Sequence, residues 1–149
     1  MISSILRSVG SVVAGLVLAF AFVVAMEIFS EIYHPFPPGV DTSHLEVCKH
    51  VARYPTWVLA VAAAGWATGA FLAVWLATRL GTGRHPAHGI VVGAILLALA
   101  GMNMAMLPYA LWFPVVILVS FPLGTFLGVR TARGLAGKPG DVSRRDNTP

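Results

Sequence analysis

The sequence predicts an all-α membrane protein, in which four transmembrane helices form an antiparallel bundle with a short interfacial helix on its outer side. Three observations carry that expectation. Of 149 residues, 57% are hydrophobic and 11% charged, and mean hydropathy is +0.80; soluble domains hold about one quarter charged residues. The apolar residues gather into four runs, each long enough to cross ~30 Å of hydrocarbon. The 10 Lys and Arg residues flank those runs and form no amphipathic or aromatic-interleaved surface, which speaks for topology and against nucleic acid as a partner. The runs use most of the length, so the chain divides into one transmembrane domain over 1–133 and a basic cytoplasmic tail over 134–149.

Helix 1 is expected over about 8–33, an apolar run interrupted only by Glu27 and Glu31. A cleaved signal peptide is the rival reading, because Arg7 precedes the apolar core and Ala19-Phe20-Ala21 has the form of a cleavage site. A lone Arg is a weak leader, and the apolar pattern continues past that site, so a retained helix is preferred. Pro35, Pro37 and Pro38 then forbid helix, and Gly39 permits a turn. Ser43 and Glu46 have capping-box spacing before a short surface helix with Leu45, Cys48 and Ala52 on one face.

Pro55 suits the start of helix 2, expected over 56–78 without a charged residue. Gly65, Gly69 and Ala73 recur every four residues and leave a groove for another helix. Arg79, Gly81, Gly83, Arg84 and Pro86 make a basic turn before helix 3, expected over 88–107, whose Gly89, Gly93 and Gly101 are read as one stripe. Pro108 ends that helix, Tyr109 to Trp112 forms an aromatic turn, and helix 4 is expected over 113–129. Within it Gly124 and Gly128 are again four apart, and Pro122 is expected to kink the helix. The tail that follows has a disordered composition rich in Gly, Pro, Asp and Arg.

Charge placement predicts orientation. Arg7, Arg79, Arg84, Arg130, Arg133, Lys138, Arg144 and Arg145 fall on one side, with only Lys49 and Arg53 on the other. The positive-inside rule then puts both termini in the cytoplasm. Trp57, Tyr109 and Trp112 fit an outer aromatic belt, and Trp75 an inner one.

From Tyr33 to Asp41 the chain reads Tyr-x-Pro-x-Pro-Pro-Gly-x-Asp. This pattern resembles uncharacterised small bacterial integral membrane proteins with four helices. Asn103, Met106, Leu107, Pro108, Leu111, Trp112 and Phe113 agree with the same group. The resemblance spans about 26–133 and implies four helices and a short outer segment in a bacterial inner membrane, with no activity attached. His34 occupies a variable position of the pattern, so no role for it is implied.

Chemistry has one place to occur. An acid inside a membrane-spanning run is costly and expects a partner. Counting at 1.5 Å per residue from the outer helix ends, Glu27, Asn103 and Ser120 lie roughly 9, 7 and 10 Å deep. They are therefore expected to form one polar intramembrane cluster, with Glu27 hydrogen-bonded to Asn103, Ser120 or both. Such a cluster can simply tie helices together, or it can carry protons as in small multidrug exporters. Those also have four helices and a helix-1 Glu, but theirs lies nearer mid-membrane, and nothing else here matches them.

Glu31, His34 and Asp41 are the outer-face candidates. Glu27, Glu31 and His34 are spaced i, i+4, i+7, yet a di-iron site needs two Glu-x-x-His units and two more Glu, which only a dimer could supply. Met26, Cys48, Met102, Met104 and Met106 could suggest copper(I). Gap filling explains the methionines better, because Met104 points away from the other two on its helix. The single Cys48 excludes an internal disulfide or a Cys-rich metal knuckle, His44, His50, His85 and His88 form no facing mid-membrane pair for haem, and no catalytic or nucleotide fingerprint occurs. No metal, cofactor or enzymatic activity is expected. The preferred function is a non-enzymatic membrane accessory or assembly protein whose outer face, residues 35–53, contacts a partner, either another membrane protein or a second copy of the chain. The alternative is a small oligomeric proton-coupled transporter or ion-conducting unit using Glu27.

Overall fold

A computed structural model of the protein describes residues 2–134. Its elements are α1 (Ile2–Tyr33), α2 (His44–Val51), α3 (Thr56–Leu80), a 3-10 turn at Thr82–Arg84, α4 (Pro86–Met106) and α5 (Trp112–Gly134). Strands are absent among the described residues. α1, α3, α4 and α5 are each long and apolar enough to cross a membrane. The shortest of them, α4, has 21 residues and spans about 32 Å at the helical rise.

α1 starts at Ile2, earlier than the expected residue 8, because its first turns are tied to the α3–α4 connection. The Arg7 Nε donates to the Leu80 carbonyl at 2.9 Å. Ser8 Oγ and Thr82 Oγ1 lie 3.1 Å apart, and Thr82 Oγ1 also donates to the Ser4 carbonyl at 3.1 Å. α5 likewise runs past 129 to Gly134, with Ala132 fully buried. The remainder of the expected tail, 135–149, lies outside the described residues. Pro122 sits within α5 and leaves the Leu118 carbonyl without its usual intrahelical donor.

α3 is the centre. It packs against α1, α4 and α5, while α1 and α5 each also touch α4. Its buried positions run from Val58 to Thr78, whereas α1 buries only Ser11, Gly15, Ala19 and Ser30. One core cluster near the α2 end contains Leu59, Ala63, Phe113, Ile117 and Phe121. A second, near the α3–α4 turn, contains Ala19, Ala73, Val74, Ala77 and Val92.

The α3 groove is filled within the chain. A Cβ added at Gly65 would meet the Met26 side chain, and one at Gly69 would lie 2.7 Å from the Phe22 Cβ. In return α1 offers Gly15, where a Cβ would lie 2.8 Å from the Ala73 carbonyl oxygen. In α4, Gly89 and Gly93 meet Thr78 and Thr125, but Gly101 faces open space. The stripe fails there because eight residues carry Gly101 about 80° around the helix from Gly93.

The α2 start also differs from expectation. Ser43 makes no side-chain capping bond, and Glu46 instead accepts from Lys49 Nζ at 2.6 Å, so the capping box is not formed. The expected turn at Gly39 is present, with φ +78° and a Val40 N–H bond to the Pro37 carbonyl at 3.4 Å.

Candidate functional site: two cavities meeting at Glu27

Met26 enters the α3 groove, and its neighbour Glu27 lines the space left beside α3 and α4. That space is two cavities sharing one boundary. The first, of about 440 Å³, is bounded by Leu16, Phe20 and Val23 of α1, Ala70 of α3, Ile95 and Leu99 of α4 and Phe121 of α5. The second, of about 230 Å³, lies under α2 and is lined by Ser30, Glu31, His50, Tyr54 and Tyr109 among others. Glu27, Trp66 and Asn103 line both. An apolar chamber therefore adjoins a polar one, with a carboxyl, an indole and an amide where they meet.

The expected cluster is only partly assembled. Glu27 and Asn103 share the two cavities, but Glu27 makes no hydrogen bond among the described residues. The Asn103 Oδ1 accepts from the Tyr109 hydroxyl at 3.0 Å. Ser120 lines neither cavity and donates to the Ile117 carbonyl of its own helix at 3.4 Å. Depth along a helix carries no information about rotation around it, so depth alone puts Ser120 in the cluster and leaves out Tyr109 and Trp66. Pro108 is the available signal: by turning the chain just after α4 ends at Met106, it folds Tyr109 back over the last turn of that helix.

The outer-face candidates separate. Glu31 Oε1 accepts the Phe36 N–H at 3.4 Å. His34 stacks on His50 with centroids 4.4 Å apart and planes at 19°, and tilts against Tyr54 at 4.9 Å. Its Nε2 is buried without a partner, and the ring serves to clasp α2 instead of extending a ligand set with Glu27 and Glu31. Asp41 is exposed and lines neither cavity. Cys48 holds α2 to the end of α4, its Sγ 3.7 Å from the Met106 carbonyl oxygen. Among the described residues no group of three His, Cys, Asp or Glu could hold a metal ion.

Burial raises the phenol pKa of Tyr54 and of Tyr109, and the negative charge of Glu27 pushes both further up. Both hydroxyls thus keep their protons over the physiological range. For His50 the direction is downward: burial and the nearby His34 outweigh a hydrogen bond to the His34 backbone and the charge of Glu31. A folded value below the unfolded one, about 6.5, means that the docked state binds fewer protons. The contribution of His50 to docking is thus present above that pH and is lost as pH falls from there through the lower folded value. In a histidine-selective NMR titration of the protein in nanodiscs, His50 is expected to titrate below the ordinary histidine value, and His34→Gln to shift it upward. An ordinary His50 value that His34→Gln leaves unchanged would refute the clasp.

Comparisons with protein-family models, with curated proteins and with solved structures returned no match.

Proposed function

We propose that this chain is a multi-pass protein of a bacterial inner membrane, an antiparallel bundle with both termini cytoplasmic. In this reading it acts as a non-enzymatic accessory or assembly protein through the outer segment around α2. The architecture is supported by the eight-to-two division of Lys and Arg and by the contacts at the two ends of α1: its start meets Leu80 of α3, and Phe29 meets Trp57 at 6.0 Å.

The observation that carries the partner reading is the construction of α2. One side is clasped by His34, Phe36, Tyr54 and the Met106 carbonyl. The other leaves Leu45 63% exposed next to the Glu46–Lys49 pair. A helix of only 8 residues does not hold itself together in water, so this clasp maintains a defined outward surface.

The transporter reading is weaker, since it requires a path from Glu27 to the opposite end. On that route Gly15 closes against Ala73, Ala77 and Val92.

Cys48 is the only cysteine, so a Cys48→Ala chain with Leu45→Cys offers one thiol for a membrane-impermeant maleimide. Labelling of intact spheroplasts is expected at 45, and at 87 in Cys48→Ala with Ala87→Cys only after permeabilisation. The reverse pattern would overturn the orientation. A photocrosslinking residue at 45 is expected to give one discrete heavier adduct in cells, and none when placed at Val119; equal results from both positions would overturn the partner surface.

A further inference from the structure

The two cavities have the form of a binding site for a molecule with a single apolar chain and a small polar head. Their polar boundary is incompletely satisfied. The indole N–H of Trp66 is buried with no acceptor, and Glu27 has no hydrogen-bond partner among the described residues. Asn103 spends its carbonyl oxygen on Tyr109, which leaves its amide N–H groups to donate elsewhere. A buried donor without a partner is uncommon in folded proteins and calls for an explanation, which a bound group would supply. A volume near 440 Å³ falls in the range of small-molecule sites, which combine apolar walls with a few polar groups.

Access to this space is lateral. α1 and α4 touch where Gly15 meets Val92, and beyond that contact the apolar cavity separates them. Its walls include Phe20 and Leu99, which are 68% and 55% exposed. Given the orientation proposed above, the mouth faces the outer leaflet.

Charge selects the head. Neither cavity is lined by Lys or Arg, whereas Glu27 and Glu31 both line the polar one. A phosphate or carboxylate head would meet two acids and no cation, so it is disfavoured. We propose that the bundle binds a single-chain amphiphile from the outer leaflet, its chain between α1 and α4, its uncharged or cationic head at Glu27, Trp66 and Asn103. A head hydroxyl or ammonium donates to Glu27, and a head oxygen accepts from the Asn103 amide or, once the indole tilts to uncover its closed-off N–H, from Trp66 Nε1. Monoacylglycerols and long-chain amines share this chemistry.

The test uses the full chain in nanodiscs with a chain-diazirine monoacylglycerol, a matching long-chain amine and a matching lysophosphatidic acid, followed by mapping of the adducts. Adducts from at least one of the first two probes are expected around Phe20, Val23 and Leu99, at least fivefold above those around the lipid-facing Val119. Whichever of the two labels identifies the head as hydroxyl or amine. Glu27→Leu and Trp66→Phe are each expected to reduce that labelling at least threefold, and Asn103→Leu likewise, while Arg130→Gln leaves it unchanged. Trp66→Phe retains an aromatic ring, and thermal unfolding of each variant separates loss of the site from loss of the fold. Labelling spread evenly around the bundle, or equal labelling by lysophosphatidic acid, or labelling indifferent to both Glu27→Leu and Trp66→Phe in folded protein, would overturn the proposal. The maleimide experiment reports orientation independently, so failure of that reading is distinguishable from failure of this one.

Discussion

Gly128→Leu is expected to prevent stable assembly of the bundle, and Gly128→Ala to cost about 2 kcal/mol, within the usual range for overpacking. A Cβ at this position would lie 2.9 Å from the Phe71 carbonyl oxygen, 2.9 Å from Val74 Cγ1 and 3.2 Å from the Trp75 nitrogen. Two of those three atoms are backbone of the central helix, so relief requires α3 and α5 to move apart. That separation forfeits dispersion contacts along the whole α3–α5 interface. In a bilayer those contacts are the main force between helices, because lipid tails are as apolar as the side chains they replace. Gly101→Ala is the matched control, since its added methyl meets nothing within 4 Å; its effect is expected within about 0.5 kcal/mol of zero, or stabilising through helix propensity. Equilibrium unfolding in mixed detergent micelles, followed by circular dichroism, measures both. Equal behaviour of the two alanine variants would show that α3 and α5 do not approach as described.

Phe113→Ala is expected to be the most damaging truncation of a side chain, on the order of 2–3 kcal/mol. Large aromatic-to-alanine changes in water-soluble cores cost about 3–5 kcal/mol. The transfer part of that cost shrinks when the alternative environment is lipid, leaving the cavity and the lost contacts. Phe113 is 1% exposed and joins three rings: Tyr109 stacked at 4.7 Å, Trp66 edge-on at 5.6 Å and Trp112 edge-on at 5.8 Å. Its removal therefore also loosens Tyr109, whose hydroxyl holds Asn103, and Trp66, which lines both cavities. Val119→Ala, at a position 63% exposed, is expected to change stability by less than about 0.5 kcal/mol, as surface substitutions usually do. A Phe113→Ala variant no less stable than Val119→Ala would remove this cluster as the fastening of the α2 end.

Much of the fold could be read locally. Pro35, Pro37, Pro38, Gly39 and Pro108 end helices because of their own backbone chemistry, whatever packs around them. The Gly65–Gly69 groove was visible for a similar reason, since a missing Cβ is a local fact with a spatial consequence. Other features were not visible because they depend on distant residues. The early start of α1 rests on Arg7 and Ser8 meeting Leu80 and Thr82. The unformed capping box reflects a choice by Glu46 between a backbone N–H and Lys49, which it made for Lys49. At the site, Glu27 and Asn103 were placed together by depth alone, but Tyr109 and Trp66 entered only through the packing of α3, α4 and the loop after Pro108.

The number of helices long and apolar enough to span a membrane, their limits to within two turns, and the presence of two acids near the end of α1 follow from the order of residues, because hydropathy, length and proline chemistry act along the chain. Which helix is central, which way each is rotated, and what surrounds Glu27 were decided by tertiary packing. The physical reason is that these helices are apolar on nearly every side. A water-soluble helix announces its buried face by the contrast with its polar one, whereas a helix that is apolar all round has no such contrast. Its rotation is set by small residues and ring stacking against particular neighbours: Gly15 on Ala73, Phe22 on Gly69 and Phe113 among Trp66, Tyr109 and Trp112.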